Sequence, residues 1–184
     1  YLMRTDGGEG QRQTNHSTEV ASYQWSPDGS TVYFLASDPD TEEEKAAKEL
    51  NDDVYALDEN YKQRHLWKIS IAEGTEERIT EGDYSVVRYS LSNDGQKVVA
   101  HRAPNPLYDF YSESEVWVMN TDGSAAVQLT DNSVGESSGR LSPDNSQVLF
   151  IAFANEDFDF YYNDKIFITA ADGSGKAEVP MKDL

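Results

Sequence analysis

Gly135-Glu136-Ser137-Ser138-Gly139 satisfies G-x-S-x-G, the pattern that places a nucleophilic serine on the strained elbow of an α/β-hydrolase. That chemistry requires a strand before the serine, a helix after it, and an acid and a histidine later in the chain. Leu129-Thr130 closes one strand pattern and Leu141-Ser142-Pro143-Asp144 opens a hairpin, which leaves no room for the helix. His16, His65 and His101 all precede Ser137, so the order is wrong as well. Ser137 reads as a chance match in a connecting loop, and no catalytic residue is assigned.

The other chemistry-bearing residues give weaker patterns. The three histidines lack the spacing of a zinc site. Asp38-Pro39-Asp40-Thr41-Glu42 alternates carboxylates as a calcium loop does, but loop position six is Glu43 instead of the glycine that the sharp turn requires. No metal and no cofactor is expected. The absence of cysteine excludes a thiol nucleophile and a disulfide framework. Phe153, Phe158, Phe160, Tyr161 and Tyr162, interleaved with Asp157, Asp159 and Asp164, suit either the lining of a peptide channel or packing between layers with acidic tips in water.

The elements that must position these residues are written as a repeat. Ser26-Pro27-Asp28-Gly29, Ser92-Asn93-Asp94-Gly95 and Ser142-Pro143-Asp144-Asn145 are each followed by an apolar run, TVYFLA, KVVAH and QVLFIA. Next come HLWKISI, EVWVMNT and KIFITAA, whose aromatics Trp67, Trp117 and Phe167 are 50 residues apart. Glycine turns at Gly74, Gly123 and Gly173 lead to short segments closing at Thr80, Thr130 and Pro180. Proline presets one turn dihedral, aspartate bonds nearby backbone, and glycine or asparagine accepts positive φ, so each motif folds the chain back as a hairpin.

Four short strands in a period near 50 specify an all-β, partial β-propeller: about three four-stranded blades plus the last two strands of a preceding one. The expected boundaries are 1–14 for the half blade, then 19–80, 83–130 and 133–180, within one propeller segment. The second strand of each unit is apolar without alternation, the pattern of a strand covered on both faces. Three and a half blades do not close a ring, so the chain is expected to be part of a longer propeller. Exposed blade edges would otherwise invite self-association.

Charge narrows the partners. With 34 acidic and 15 basic residues the net charge is −19, which argues against a phosphate backbone and hence against nucleic acid. The acidity suits attraction of cationic groups or a solvated surface. No run approaches the 18 apolar residues of a membrane helix, and cytoplasm and periplasm both remain open.

The repeat is interrupted once. Thr14 to Thr80 spans 66 residues where the next interval takes 50, so the first full unit carries an insertion within residues 38–64. Its part near 41–51 is rich in helix formers, with Thr41 placed to cap the amino end and acids in the first turn.

WSPDGS, the acidic insertion leading into Arg64-His65-Leu66-Trp67, ITEGDYSV, SEVWVMNTDG and LTDNSVGESSGRLSPDN together resemble the amino-terminal propeller of the prolyl oligopeptidase family of serine peptidases, in its bacterial acylaminoacyl-peptidase and dipeptidyl-peptidase-like branch. The resemblance implies that catalysis belongs to a carboxy-terminal α/β-hydrolase domain, while this segment filters and positions peptide substrates. It also implies that propeller glutamates can hold a substrate amino terminus, which makes Glu42, Glu43 and Glu44 candidate substrate-binding residues beside their reading as a solvated helix start. The competing reading is a TolB-like propeller that binds proteins and has no peptidase partner.

Overall fold

The computed structural model describes residues 1–50, 61–155, 157–175 and 177–178, with the side chains of Tyr161 and Tyr162 left aside. Two four-stranded antiparallel sheets and a three-stranded one follow in chain order. The first contains β1 (Val20–Trp25), β2 (Thr31–Ser37), β3 (Arg64–Ser70) and β4 (Glu76–Arg78). The second contains β5 (Ser85–Leu91), β6 (Lys97–Ala103), β7 (Glu115–Asn120) and β8 (Val127–Gln128). The third contains β9 (Glu136–Leu141), β10 (Gln147–Ala154) and β11 (Phe160–Ala170), extended by a single bridge from Ile168 to Glu178. This is the partial propeller expected from the repeat. The expected half blade at 1–14 contributes one bridge, Leu2 to Gln11, and Pro180 lies outside the described residues.

The three hairpin turns are built identically. Ser26 Oγ donates to Asp28 Oδ1 at 2.6 Å and accepts the Thr31 N–H at 3.0 Å, while Asp28 Oδ1 accepts the Ser30 N–H at 3.0 Å. Ser92 with Asp94, and Ser142 with Asp144, repeat all three bonds. The bond from Ser26, followed by those from the Ser30 backbone and hydroxyl, holds the Asp28 carboxyl down at about 2. Asn145 takes the turn's positive-φ position at 61°, as glycine does at Gly29 and Gly95.

The closing threonines solve a different problem. Each fourth strand diverges from the third before the ladder ends, which would leave a buried N–H without an acceptor. Thr80 Oγ1 accepts the Leu66 N–H at 2.9 Å, and Thr130 Oγ1 accepts the Val116 N–H at 2.8 Å. The residue two places earlier then ties down the threonine carbonyl, through Arg12 to Thr14 at 2.7 Å, Arg78 to Thr80 at 2.8 Å and Gln128 to Thr130 at 2.8 Å.

The core lies between sheets. Val98 and Ala100 join Tyr33, Leu35, Leu66 and Met119 on one side of the second sheet, while Val99 faces Val148, Phe150 and Phe167 on the other. An uninterrupted apolar strand is therefore two alternating faces, each covered by a neighbour. Each buried Val, Leu or Phe contributes roughly 1.5–3 kcal/mol. In β10 the outward positions emerge, with Leu149 and Phe153 exposed, so apolar continuity there does not mean burial on both faces.

α1 (Glu42–Glu49) forms within the expected 41–51 stretch. Thr41 caps it in a capping box, its hydroxyl accepting the Glu44 N–H while Glu44 accepts the Thr41 N–H. Residues 51–60 of the insertion lie outside the described residues.

Candidate functional site

Strand direction sorts the connections. The serine-aspartate turns and the glycine turns share one end of the sheets. The β2–β3, β6–β7 and β10–β11 connections and both links between sheets share the other. All the long excursions are therefore at one end, and loops held on a rigid scaffold are where binding concentrates.

At that end a groove of about 410 Å³ runs between the second and third sheets, lined by Arg88, Tyr108, Tyr111, Glu136, Ser137 and Phe153 among others. One wall is a 3-10 turn, Tyr108–Glu113. Asn105 starts it by accepting the Leu107 N–H at 3.0 Å, and Ser114 ends it by donating its hydroxyl to the Tyr111 carbonyl at 2.8 Å. Arg64, at the start of β3, donates to the Tyr111 hydroxyl at 2.9 Å and so fixes the excursion against the first sheet. Tyr108 is 83% exposed, with its ring 5.5 Å from that of Tyr111. Phe153, from β10, is 45% exposed on the facing wall.

Glu136 sits on the floor with 2% of its surface accessible. It accepts the Thr130 hydroxyl at 2.6 Å and the Asn132 side-chain amide at 2.7 Å. Burial nevertheless dominates and pushes its carboxyl up to about 7. Glu115, whose Oε1 accepts the Asn132 N–H at 2.9 Å, is pushed up by burial too, and its Oε2 has no partner among the described residues. The groove thus combines aromatic residues, one arginine and two acidic residues, Asp109 and Glu136, the second with its carboxyl pushed up to about 7. That is a surface for an amphipathic chain with polar backbone, and it contains no activated nucleophile among the described residues.

Ser137 lies on β9, inside a strand and not in a loop between blades. β9 runs directly into the Ser142–Asn145 turn, and His101 uses its Nε2 to accept the Gly139 N–H at 3.1 Å. Glu42, Glu43 and Glu44 occupy the exposed first turn of α1. Glu42 pairs with Lys45 at 2.7 Å, Glu44 is bonded by Lys62, which holds its carboxyl at about 2, and Glu43 faces solvent. Asp38 bonds Arg78 at 3.2 Å and Asp40 bonds Lys48 at 2.6 Å, so these carboxylates meet cationic side chains.

The histidines are interior, and His65 and His101 are on strands. His65 and His101 are fully buried, and burial brings each down to about 4. His16 packs edge-on against Trp67 at 4.6 Å and meets Glu76 at 3.2 Å. The aromatic cluster divides: Phe158 packs on Phe167 at 4.6 Å, whereas Phe153 opens to the groove and Phe160 to solvent. Tyr108, Tyr111, Arg88 and Glu136 were not singled out by sequence reasoning. Pro104-Asn105-Pro106, a pair of prolines after an apolar strand, was the available signal for the excursion.

No protein-family model and no curated protein sequence matches the chain. Solved structures do. TolB from Acinetobacter baumannii aligns at 17% identity and TM-score 0.58, over 96% of this chain and 36% of that one. Oligogalacturonate lyase from Vibrio parahaemolyticus aligns at 17% identity and TM-score 0.58, over 97% and 41%. The propeller domain of the trilobed protease from Pyrococcus furiosus aligns at 12% identity and TM-score 0.54, over 87% and 41%. Tricorn protease and an acylaminoacyl peptidase are matched as well. The chain spans half or less of the length of each of these structures. At these identities the likeness is one of fold: a β-propeller architecture shared by peptidase propellers, TolB and a lyase.

Proposed function

We propose that this chain is a non-catalytic part of a longer propeller that admits and positions peptides for a hydrolase domain carried elsewhere in its protein, in the manner of prolyl-oligopeptidase-type peptidases. The observation that carries this reading is the groove between the 3-10 turn and β9, which Tyr108, Tyr111 and Phe153 line together with Glu136, whose carboxyl is pushed up to about 7. A peptide has the matching alternation of apolar side chains and polar backbone. Glu42 and Glu43, exposed at the same end, are proposed to attract its amino terminus.

The likeness to peptidase propellers supports this assignment, and the likeness to TolB supports a second one, a protein-binding propeller without a peptidase partner. A fluorophosphonate probe applied to the full-length protein separates the two. The peptidase reading expects one labelled serine outside residues 1–184, with labelling unchanged by Ser137→Ala. Absence of label supports the protein-binding reading, and label on Ser137 contradicts both. The uncovered outer face of the third sheet, with Leu149, Phe160 and Ile166 exposed, is proposed to meet a further blade.

A further inference from the structure

The first strands of the three sheets each carry a two-against-one bulge, between Val20 and Ser22, between Val86 and Arg88, and between Ser137 and Arg140. A bulge bends its strand and re-aims the side chain beside it. The residues that follow the bulges, Ser22, Arg88 and Arg140, line one cavity of about 270 Å³. Its wall is held firmly at Gly139, which receives the Ser90 hydroxyl on its carbonyl at 2.6 Å and donates its N–H to His101. A larger residue there would force a neighbour to move, since a Cβ would lie 2.6 Å from Val99 Cγ1.

The arginines of the chain distinguish this cavity. Arg4 pairs with Asp6, Arg12 bonds the Thr14 carbonyl, Arg64 bonds Tyr111, and Arg78 bonds Asp38. Arg102 lies over Tyr84 and Trp117. Arg88 and Arg140 are exposed and have neither a hydrogen bond nor an ion pair with any described residue, in a chain with 34 carboxylates for 15 basic groups. Both arginines line the same cavity, and so does His101, whose buried Nδ1 has no partner among the described residues.

We infer that Arg88 and Arg140 form an anion site on the inner wall of the propeller, and that its ligand is the terminal carboxylate of a peptide. A carboxylate matches the fork of a guanidinium with two parallel bonds. Arg88 also lines the aromatic groove, so a peptide lying in the groove reaches the site with its last residue. A sugar acid polymer carries a carboxylate on every ring and would set one against Asp109 and Glu136 in the groove, whereas a peptide brings a single terminal charge. The choice of peptide rests on the proposed function; the anion site does not.

Calorimetric titration of the full-length protein at low salt tests this with Ala-Ala-Ala-Phe, its carboxy-terminal amide and tri-galacturonate. The free acid is expected to bind roughly tenfold or more tightly than the amide, the value of one charge-assisted bond. Arg88→Met and Arg140→Met should each remove that advantage without changing the thermal unfolding temperature, because neither side chain supports the fold. Equal affinities for acid and amide overturn the anion site while leaving peptide binding in the groove intact. Retention of the acid's advantage in the double variant overturns it too. Arginine-dependent binding of tri-galacturonate without peptide binding supports the site and overturns its assignment to peptides. No binding of any probe overturns both the site and the groove reading.

Discussion

Thr130→Val exchanges a hydroxyl for a methyl group of similar size, so its effect reports hydrogen bonding more than packing. The hydroxyl has two tasks in a site 6% exposed: it accepts the Val116 N–H at 2.8 Å and donates to Glu136 at 2.6 Å. Leaving the buried N–H unsatisfied costs about 1–3 kcal/mol, and a bond to an ionised partner adds about 1.5–3 kcal/mol. The second contribution depends on pH, because Glu136 is protonated below about 7. The expected loss is about 2 kcal/mol at pH 5 and about 3 kcal/mol at pH 8, where a carboxyl that titrates at about 7 can avoid any further cost by staying protonated. Thr80→Val is the control: its hydroxyl accepts the Leu66 N–H at 2.9 Å and faces neutral His65 at 3.1 Å, with no carboxylate. It should cost about 2 kcal/mol at both pH values. Urea unfolding at pH 5 and pH 8 measures all four losses. A Thr130→Val protein within about 0.5 kcal/mol of the parent at both pH values refutes the reasoning, because that is the range of a neutral surface change. Equal pH dependence in the two variants refutes the role given to Glu136.

Three further outcomes follow from the same contacts. Glu136 has a folded pKa raised to about 7, so the parent's stability should fall by about 3 kcal/mol as pH rises from the unfolded value near 4.5 through 7, and Glu136→Gln should flatten that slope in urea titrations. His101 has a folded value lowered to about 4, so its contribution is complete above the unfolded value near 6.5 and is lost as pH falls through 4; its imidazole proton resonances should stay untitrated down to pH 5. A resonance that titrates near 6.5 would show that His101 is solvated. Gly139→Ala places a Cβ 2.6 Å from Val99 and 3.0 Å from His101, and should cost about 1–3 kcal/mol by thermal unfolding; an unchanged transition would show that β9 does not pack as described.

The repeat was legible because its markers answer local requirements. Serine, aspartate and glycine or asparagine at fixed offsets close a hairpin, and Thr80 and Thr130 at the ends of the first two full units supply an acceptor that the ladder lacks. The spacing of Trp67, Trp117 and Phe167 fixed the sheets for the same reason. The helix at Glu42–Glu49 was legible from Thr41 and Glu44, which bond each other across three residues. The groove was hidden because its parts are not local. Glu115 and Glu136 come from neighbouring sheets and meet through Asn132, and Arg64 reaches Tyr111 across 47 positions. The β6–β7 excursion leaves the 50-residue period intact, so an interval count passes over it. Ser137 read as a loop residue because Glu136-Ser137-Ser138 has none of the apolar, β-branched character of a strand; pairing with β10 overrides that composition. Arg88 and Arg140 gained significance only once the other five arginines had been assigned partners.

The account stands or falls on where a peptide rests. A short peptide carrying a benzophenone side chain, photolysed with the full-length protein and followed by mass spectrometry of the digest, locates the contact directly. The account predicts adducts on the 108–112 turn, on 135–137 and at Phe153, reduced in a Tyr111→Ala, Phe153→Ala variant that keeps its fold. Adducts confined to the serine-aspartate turns at the opposite end, or adducts unaffected by that double change, would contradict it.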